Sequence, residues 1–289
     1  MPDVTITCVA PVGCVLGEGP VWDGAAQRLY WVDIKNPAVH ALEPATGARH
    51  RWPMPAPIGA IGLRARGGLV AALKSGFAFV DLDGGVVTPI VDPEADRPGN
   101  RFNDGHVDAR GRFWAGSMDD GEGQPTGDLY RLDADLSVTR FAAGFVVTNG
   151  IEWRGDGRTL YVVDSGRRTI YADDFDMAAG KPGARRVFAR LTVEQGYPDG
   201  LTVDAEDHVW GAHWDGARLT RYRPDGTVER VIAMPVPRVT SCCFGGADLD
   251  TLYVTSASIG LDGSAPLSGG VFAITDLGVR GRPAHRFAG

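Results

Sequence analysis

The run Leu29-Tyr30-Trp31-Val32-Asp33 returns in kind five more times along the chain. Its counterparts are Leu69-Val70-Ala71-Ala72-Leu73, Phe113-Trp114-Ala115-Gly116-Ser117, Leu160-Tyr161-Val162-Val163-Asp164, Val209-Trp210-Gly211-Ala212-His213 and Leu252-Tyr253-Val254-Thr255-Ser256. Each is aromatic or β-branched and follows a turn-forming cluster, which reads as a strand. Between their second residues the steps are 40, 44, 47, 49 and 43 residues. A period in the forties with several strands per unit belongs to propeller blades.

Working outward from these runs, a further strand follows each: Val39–Leu42, Gly76–Val80, Gly127–Leu132, Thr169–Ala172, Leu219–Tyr222 and Gly270–Ile274. Most lead through an Asp, Gly or Pro turn into a last apolar strand, such as Val86-Val87 or Val228–Val231. No segment sustains a 3.6-residue apolar period; Asp176–Ala179 and Thr192–Gln195 have room for one helical turn each. The expectation is an all-β chain, a six-bladed β-propeller with four strands per blade, spanning residues 1–289 as one domain. Paired β-sandwiches would supply similar strand counts but leave the period unexplained. A ring must close to hide its terminal edges, so the strand around Val4 to Val9 is expected to complete the last blade.

Composition narrows the function classes. With 289 residues, 44% hydrophobic and 22% charged, the chain can bury a sizeable core. Its net charge of -7 and scattered arginines argue against a nucleic-acid partner. Four cysteines (Cys8, Cys14, Cys242, Cys243) make no Cys-x-x-Cys pair, which suggests neither a disulfide framework nor a structural zinc site. No apolar run is long enough for a membrane span and the first residues lack a signal-peptide pattern, so a cytoplasmic location is expected.

The repeat also exposes a constellation. Stepping back 11 or 12 residues from each aligned run reaches the start of the innermost strand: Glu18, Gly59, Asn103, Asn149, Asp199 and Ser241. Innermost strands line the channel, so these positions face one another. Only four asparagines exist in the chain, and two of them fall in this ring. A lone Asn-Gly or Asp-Gly is ordinarily a hairpin turn; a set in phase with the blades points to a site. Carboxylate and amide oxygens with no His or Cys in phase suit a hard divalent cation in the central channel rather than a structural zinc. Too few protein donors fill its shell, leaving room for water or substrate, as a catalytic ion requires. Gly-x-Ser-x-Gly, His-Glu-x-x-His and P-loop patterns are absent. His106 and His213 sit beside inner strands, where packing is the commoner role. Asp108 and Asp204 read as equivalent turn residues. Trp214 is better placed to stack on a sugar than Trp153 or Trp210, which suit blade packing.

These segments resemble the regucalcin/gluconolactonase (senescence marker protein) family, which includes bacterial sugar-acid lactonases. The likeness rests on Leu16–Trp22, Leu29–Asp33, Arg101–Asp104, Gly111–Met118, Thr148–Gly150 and Tyr197–Gly200, in order across the chain. It implies a six-bladed propeller holding one divalent ion (Ca, Mg, Mn, Zn or Fe(II)) on Glu18, Asn149 and Asp199. It also implies that Arg101 and Asn103 contact substrate, with Asp104 and His106 supporting the site from behind. An acid within Asp119–Glu122 would touch the sugar; the sequence does not say which. The implied reaction is hydrolysis of a five- or six-carbon aldonolactone to the aldonic acid. The ion would polarise the carbonyl and activate water, and Asp199 would act as general base. The implied partner is a small sugar lactone, with no nucleic acid or membrane, and a monomer is the default. The alternatives are an organophosphate or aryl-ester hydrolase of related propeller type, and a non-catalytic calcium-binding propeller.

Overall fold

The computed structural model describes residues 4–289. Its six four-stranded antiparallel sheets are the blades of a propeller. The innermost strands, taken as blades one to six, are Gly17–Asp23, Ile58–Leu63, Asn100–Val107, Thr148–Trp153, Tyr197–Val203 and Val239–Gly245. Each pairs with the strand holding one of the repeated runs, and neighbouring inner strands pack side by side around the channel. Among the described residues, helix is confined to two 3-10 turns, Ser165–Arg167 and Val193–Gln195. None among the described residues is long and apolar enough to cross a membrane.

Closure follows the expected route. Thr5–Ala10 pairs antiparallel with Val271–Thr275 and becomes the outermost strand of blade six. The first strand of the described chain thereby covers an edge that would otherwise be bare. Trp31, Trp114 and Trp210, the tryptophans of three repeated runs, are fully buried. The turn aspartates do more than turn. Asp108 accepts from the backbone N–H of Arg110 and Arg112, from Arg112 Nε at 2.6 Å and from Trp114 Nε1 at 2.9 Å. Asp204 repeats this bracket with Glu206, His208, Trp210 Nε1 and Arg221.

The short segment Asp176–Ala179 makes a single turn closed by one i→i+4 bond, and it joins two strands as a hairpin rather than continuing as helix. The Asp176 carboxylate accepts from the N–H of Ala178 and Ala179, and its carbonyl accepts from Gly180.

Candidate metal centre

All six ring positions lie at irregularities of the inner strands. Register with the second strand slips between Glu18 and Val21, Ile58 and Ala60, and Phe102 and Asp104. It slips again between Asn149 and Glu152, Pro198 and Leu201, and Val239 and Cys242. Such bulges re-aim side chains that a regular pleat would send to the sheet faces. The ring is glycine in blade two because a Cβ on Gly59 would lie 2.5 Å from the Phe102 carbonyl oxygen. In blade four Gly150 takes φ 48°, and its N–H donates to the Asp104 carboxylate at 2.7 Å.

Glu18, Asn103, Asn149 and Asp199 line one cavity of about 470 Å³ at the end where the inner strands begin. Arg101, Glu122, Tyr197, Trp214, Asp215 and the apolar Leu16, Val146 and Val147 share its wall. The rim loops before blades one and four are braced by the last residue of a repeated run. Asp33 accepts from Val15 and Leu16 N–H, and Asp164 from Val146 and Val147 N–H.

The polar groups form one chain that reaches from blade one to blade five. Asp120 accepts from Lys35 at 2.7 Å, Lys74 at 3.2 Å and Arg101 Nε at 2.7 Å. Arg101 donates onward to Asn103 Oδ1, and Asn103 Nδ2 donates to Asn149 Oδ1 at 2.9 Å. Asn149 Nδ2 donates to Ser165 Oγ at 2.9 Å, and that hydroxyl donates to the Pro198 carbonyl. Both amides thus have both ends engaged by neighbours, and the Asn149 oxygen, which accepts a single hydrogen bond, keeps a lone pair.

Electrostatics calls for a cation. Burial, then the Asp104 carboxylate, pushes the Glu18 carboxyl well above its ordinary range. Burial, then Glu18 and Asp104, does the same to Asp199, and burial raises Asp104 itself. Asp199 Oδ1 is the one carboxylate oxygen among the described residues that is buried without any hydrogen-bond partner. An orphaned acceptor beside a crowded acid is what a bound ion would relieve. The donor set is all oxygen, which fits a hard divalent cation.

The remaining expected residues are distributed as follows. Asp104 sits behind the ring, accepting from Gly105 and Gly150 N–H. His106 does not reach the cavity; it pairs with Glu152 at 3.0 Å toward the other end of the channel. His213 is buried, between Gln195 O and Tyr222 OH, and burial lowers its pKa to about 4. Of the acids left open in the loop, Asp119 ties the loop's own backbone and Asp120 anchors Arg101, so Glu122 alone lines the cavity. Lys35 and Lys74 were invisible as site residues, because they sit two blades and one blade before Asp120 in sequence. Cys14, Asp33 and His40 form a separate buried cluster, with ligand-type atoms within 4.8 Å of one another. Its sulfur and nitrogen donors are unlike the channel set, and Asp33 is already committed to backbone N–H groups.

The family model described as SMP-30/Gluconolactonase/LRE-like region matches residues 16–258. Regucalcin of Xenopus laevis is 38% identical over 300 residues, covering 100% of both chains. A luciferin-regenerating enzyme of solved structure superposes with a TM-score of 0.93 at 31% identity, covering 99% of this chain and 100% of that one. Regucalcin of Agrobacterium tumefaciens, described as a calcium-binding protein, gives 0.93 at 30% identity with 97% and 96% covered.

Proposed function

The chain belongs to the SMP-30/gluconolactonase/LRE-like family, and from that premise we propose that it is a metal-dependent hydrolase opening a five- or six-carbon aldonolactone to its aldonic acid. The observation carrying this reading is the unpartnered Asp199 Oδ1, buried on a wall that also presents Glu18, Asn149 and the Arg101 guanidinium. A store for an ion needs the first three; a guanidinium and a cavity of this size suit a polar organic substrate.

Glu18, Asn149 and Asp199 would hold the ion, which when bound supplies polarisation of the lactone carbonyl and acidification of a water. Asp199 takes the proton of the attacking water at its carboxylate. Arg101, locked by Asp120 and Asn103, offers its remaining N–H groups to ring hydroxyls, and Glu122 accepts from others. Their contribution is placement. Tyr197 and Trp214 present flat faces to the C–H side of a sugar, each backed by an arginine 4.0 Å and 4.7 Å from the ring centroid.

The protein is read as a monomer, with a small molecule as its partner and neither nucleic acid nor membrane. Its four cysteines are unpaired, which fits the reducing cytoplasm. The deciding experiment is a pH-indicator assay of an aldonolactone panel, with an aryl ester and an organophosphate included. It is run on chelated protein and after each divalent ion is restored. Turnover of lactones only with metal is expected; full turnover by metal-free protein would end the proposal. The description of the Agrobacterium tumefaciens relative favours a second reading, a calcium-binding propeller without turnover. Calcium binding with no hydrolysis of any panel member would select it.

A further inference from the structure

The loop 92–99 leads from the outermost strand of blade two, Val86–Val91, into the inner strand of blade three. It carries Glu94, a buried side chain outside the metal-centre cavity. Glu94 Oε1 accepts from Ser117 Oγ at 2.7 Å and Tyr130 OH at 2.9 Å, and Oε2 accepts from Asn100 Nδ2 at 2.9 Å. One carboxylate therefore bonds the first three strands of blade three, Asn100–Val107, Phe113–Asp119 and Gly127–Leu132. Burying such a group is costly unless donors surround it, and here three do.

Asn100 passes the tie on. Its Nδ2 also donates to Thr126 O at 3.2 Å, and its Oδ1 accepts from Thr126 Oγ at 2.7 Å. Thr126 ends the loop that carries Glu122. The start of that loop is held at the same corner, where Asp120 N–H donates to Gly99 O at 2.9 Å. Glu122 stands between the two ties at φ 58°, a left-handed conformation that a residue with a side chain keeps only when its surroundings impose it. Arg101 follows Asn100 directly. The cationic Arg101 and the acidic Glu122 of the cavity wall thus hang from one corner, Gly99 and Asn100, which Glu94 fixes to the blade.

Close packing does not hold this corner on every side. A separate cavity of about 260 Å³ adjoins Asn100 and Arg101, and Lys74, Glu94 and Arg97 also line it. Beside open space the hydrogen bonds decide position, and a fully satisfied buried network admits one arrangement. On the lactonase reading of the metal-centre cavity, on which this inference rests, we propose that Glu94 and Asn100 are positioning residues. They set the placement of Arg101 relative to Glu122, and with it the KM for the lactone, without acting on the ion. The proposed ion ligands Glu18, Asn149 and Asp199 stand on blades one, four and five.

The test is lactone kinetics of the metal-loaded full chain, with ion affinity measured alongside by calorimetry. Asn100→Ala and Glu94→Met should each raise KM about tenfold with a smaller fall in kcat, while ion affinity stays at the parent value. Thr126→Val removes one exposed hydroxyl, so it keeps the fold, and should raise KM about threefold, as for loss of one hydrogen bond. Glu94→Gln still offers an oxygen to Asn100, and the Ser117 and Tyr130 hydroxyls can turn to accept from its amide, so its KM should stay near the parent value. A merely structural role would lower the melting temperature without moving KM. Parent-like KM in both Asn100→Ala and Thr126→Val would overturn the proposal, as would a loss of ion affinity as large as the rise in KM. A parent chain without lactone turnover would instead defeat the lactonase reading. The tie is then read without substrate: hydrogen exchange of the Asp120 amide should be faster in Asn100→Ala, and parent-like exchange there would overturn the proposal.

Discussion

Asn103 Nδ2 donates to Asn149 Oδ1 at 2.9 Å across the seam between blades three and four. With Ser165 accepting from the other end of the Asn149 amide, that side chain has one allowed orientation, oxygen toward the cavity. Asn103→Leu should therefore weaken divalent-ion affinity about 10- to 100-fold, the usual effect of removing a group that orients a ligand. Calorimetric titration of the metal reads this directly. Wild-type affinity would show that Asn149 is not a ligand or needs no orientation.

Removing the acceptor on Asp199 should separate chemistry from folding. Asp199→Asn is expected to lower kcat on lactones by on the order of 10³, within the range for a general base. Its circular dichroism should be unchanged. Near wild-type turnover would take the proton-accepting role away from Asp199, and reversible loss of activity on chelation is expected in the parent protein.

The crowded carboxylates make a pH prediction for the metal-free chain. Glu18 and Asp199 titrate above their ordinary ranges when folded, so the folded state holds protons that the unfolded state releases. Their contribution is fully present below about pH 4 and is lost as pH rises toward the raised folded values. The melting temperature without metal should fall between about pH 5 and 8 and recover when the ion is added. Glu18→Gln should flatten that dependence and raise the metal-free melting temperature at pH 8. The same variant should bind metal more weakly. A metal-free melting temperature independent of pH would contradict the reading of these carboxylates.

Asp120 holds Arg101 from outside the cavity, with Lys35 and Lys74 sharing the load. These three ion pairs override burial and keep its carboxyl ionised well below the usual range. Asp120→Asn should release the guanidinium and raise KM for lactones about tenfold, with a smaller fall in kcat. Equal loss in kcat and kcat/KM would instead mean that Arg101 acts only in the transition state.

Asp108 is fully buried and bonded to Arg112 and Trp114. Asp108→Ala would strand the buried Arg112 cation and should cost roughly 3–5 kcal/mol in urea unfolding. Asp108 follows the inner strand Asn100–Val107 at its far end and does not line the cavity, so activity below the melting range should persist.

Six strands were readable because runs such as Leu160–Asp164 are buried on both faces and carry residues suited to that setting alone. The ring positions were readable for a related reason. A repeat transfers position from blade to blade, so Glu18 inherits meaning from Asn149 and Asp199. What stayed hidden depends on partners distant in the chain. The role of Asp120 is set by Lys35 and Lys74, respectively 85 and 46 residues earlier. The division of labour among Asp119, Asp120 and Glu122 follows from one loop's path. The bulges could not be foreseen either, since Pro-Asp-Gly in blade five reads equally as a plain turn.

Thr5 lies opposite Thr275 in the sheet that completes the ring. A chain emerging from the ribosome must carry that first strand unpaired until nearly the last blade has been made. Blades one to five can each fold from near neighbours, but this latch joins the most distant sequence positions in the molecule. Closure is thus the slow, high-contact-order step, and it can only follow synthesis. During that wait the half-alternating Thr5–Ala10 strand is the segment most open to capture by another nascent copy, giving a strand-exchanged dimer in place of the closed ring.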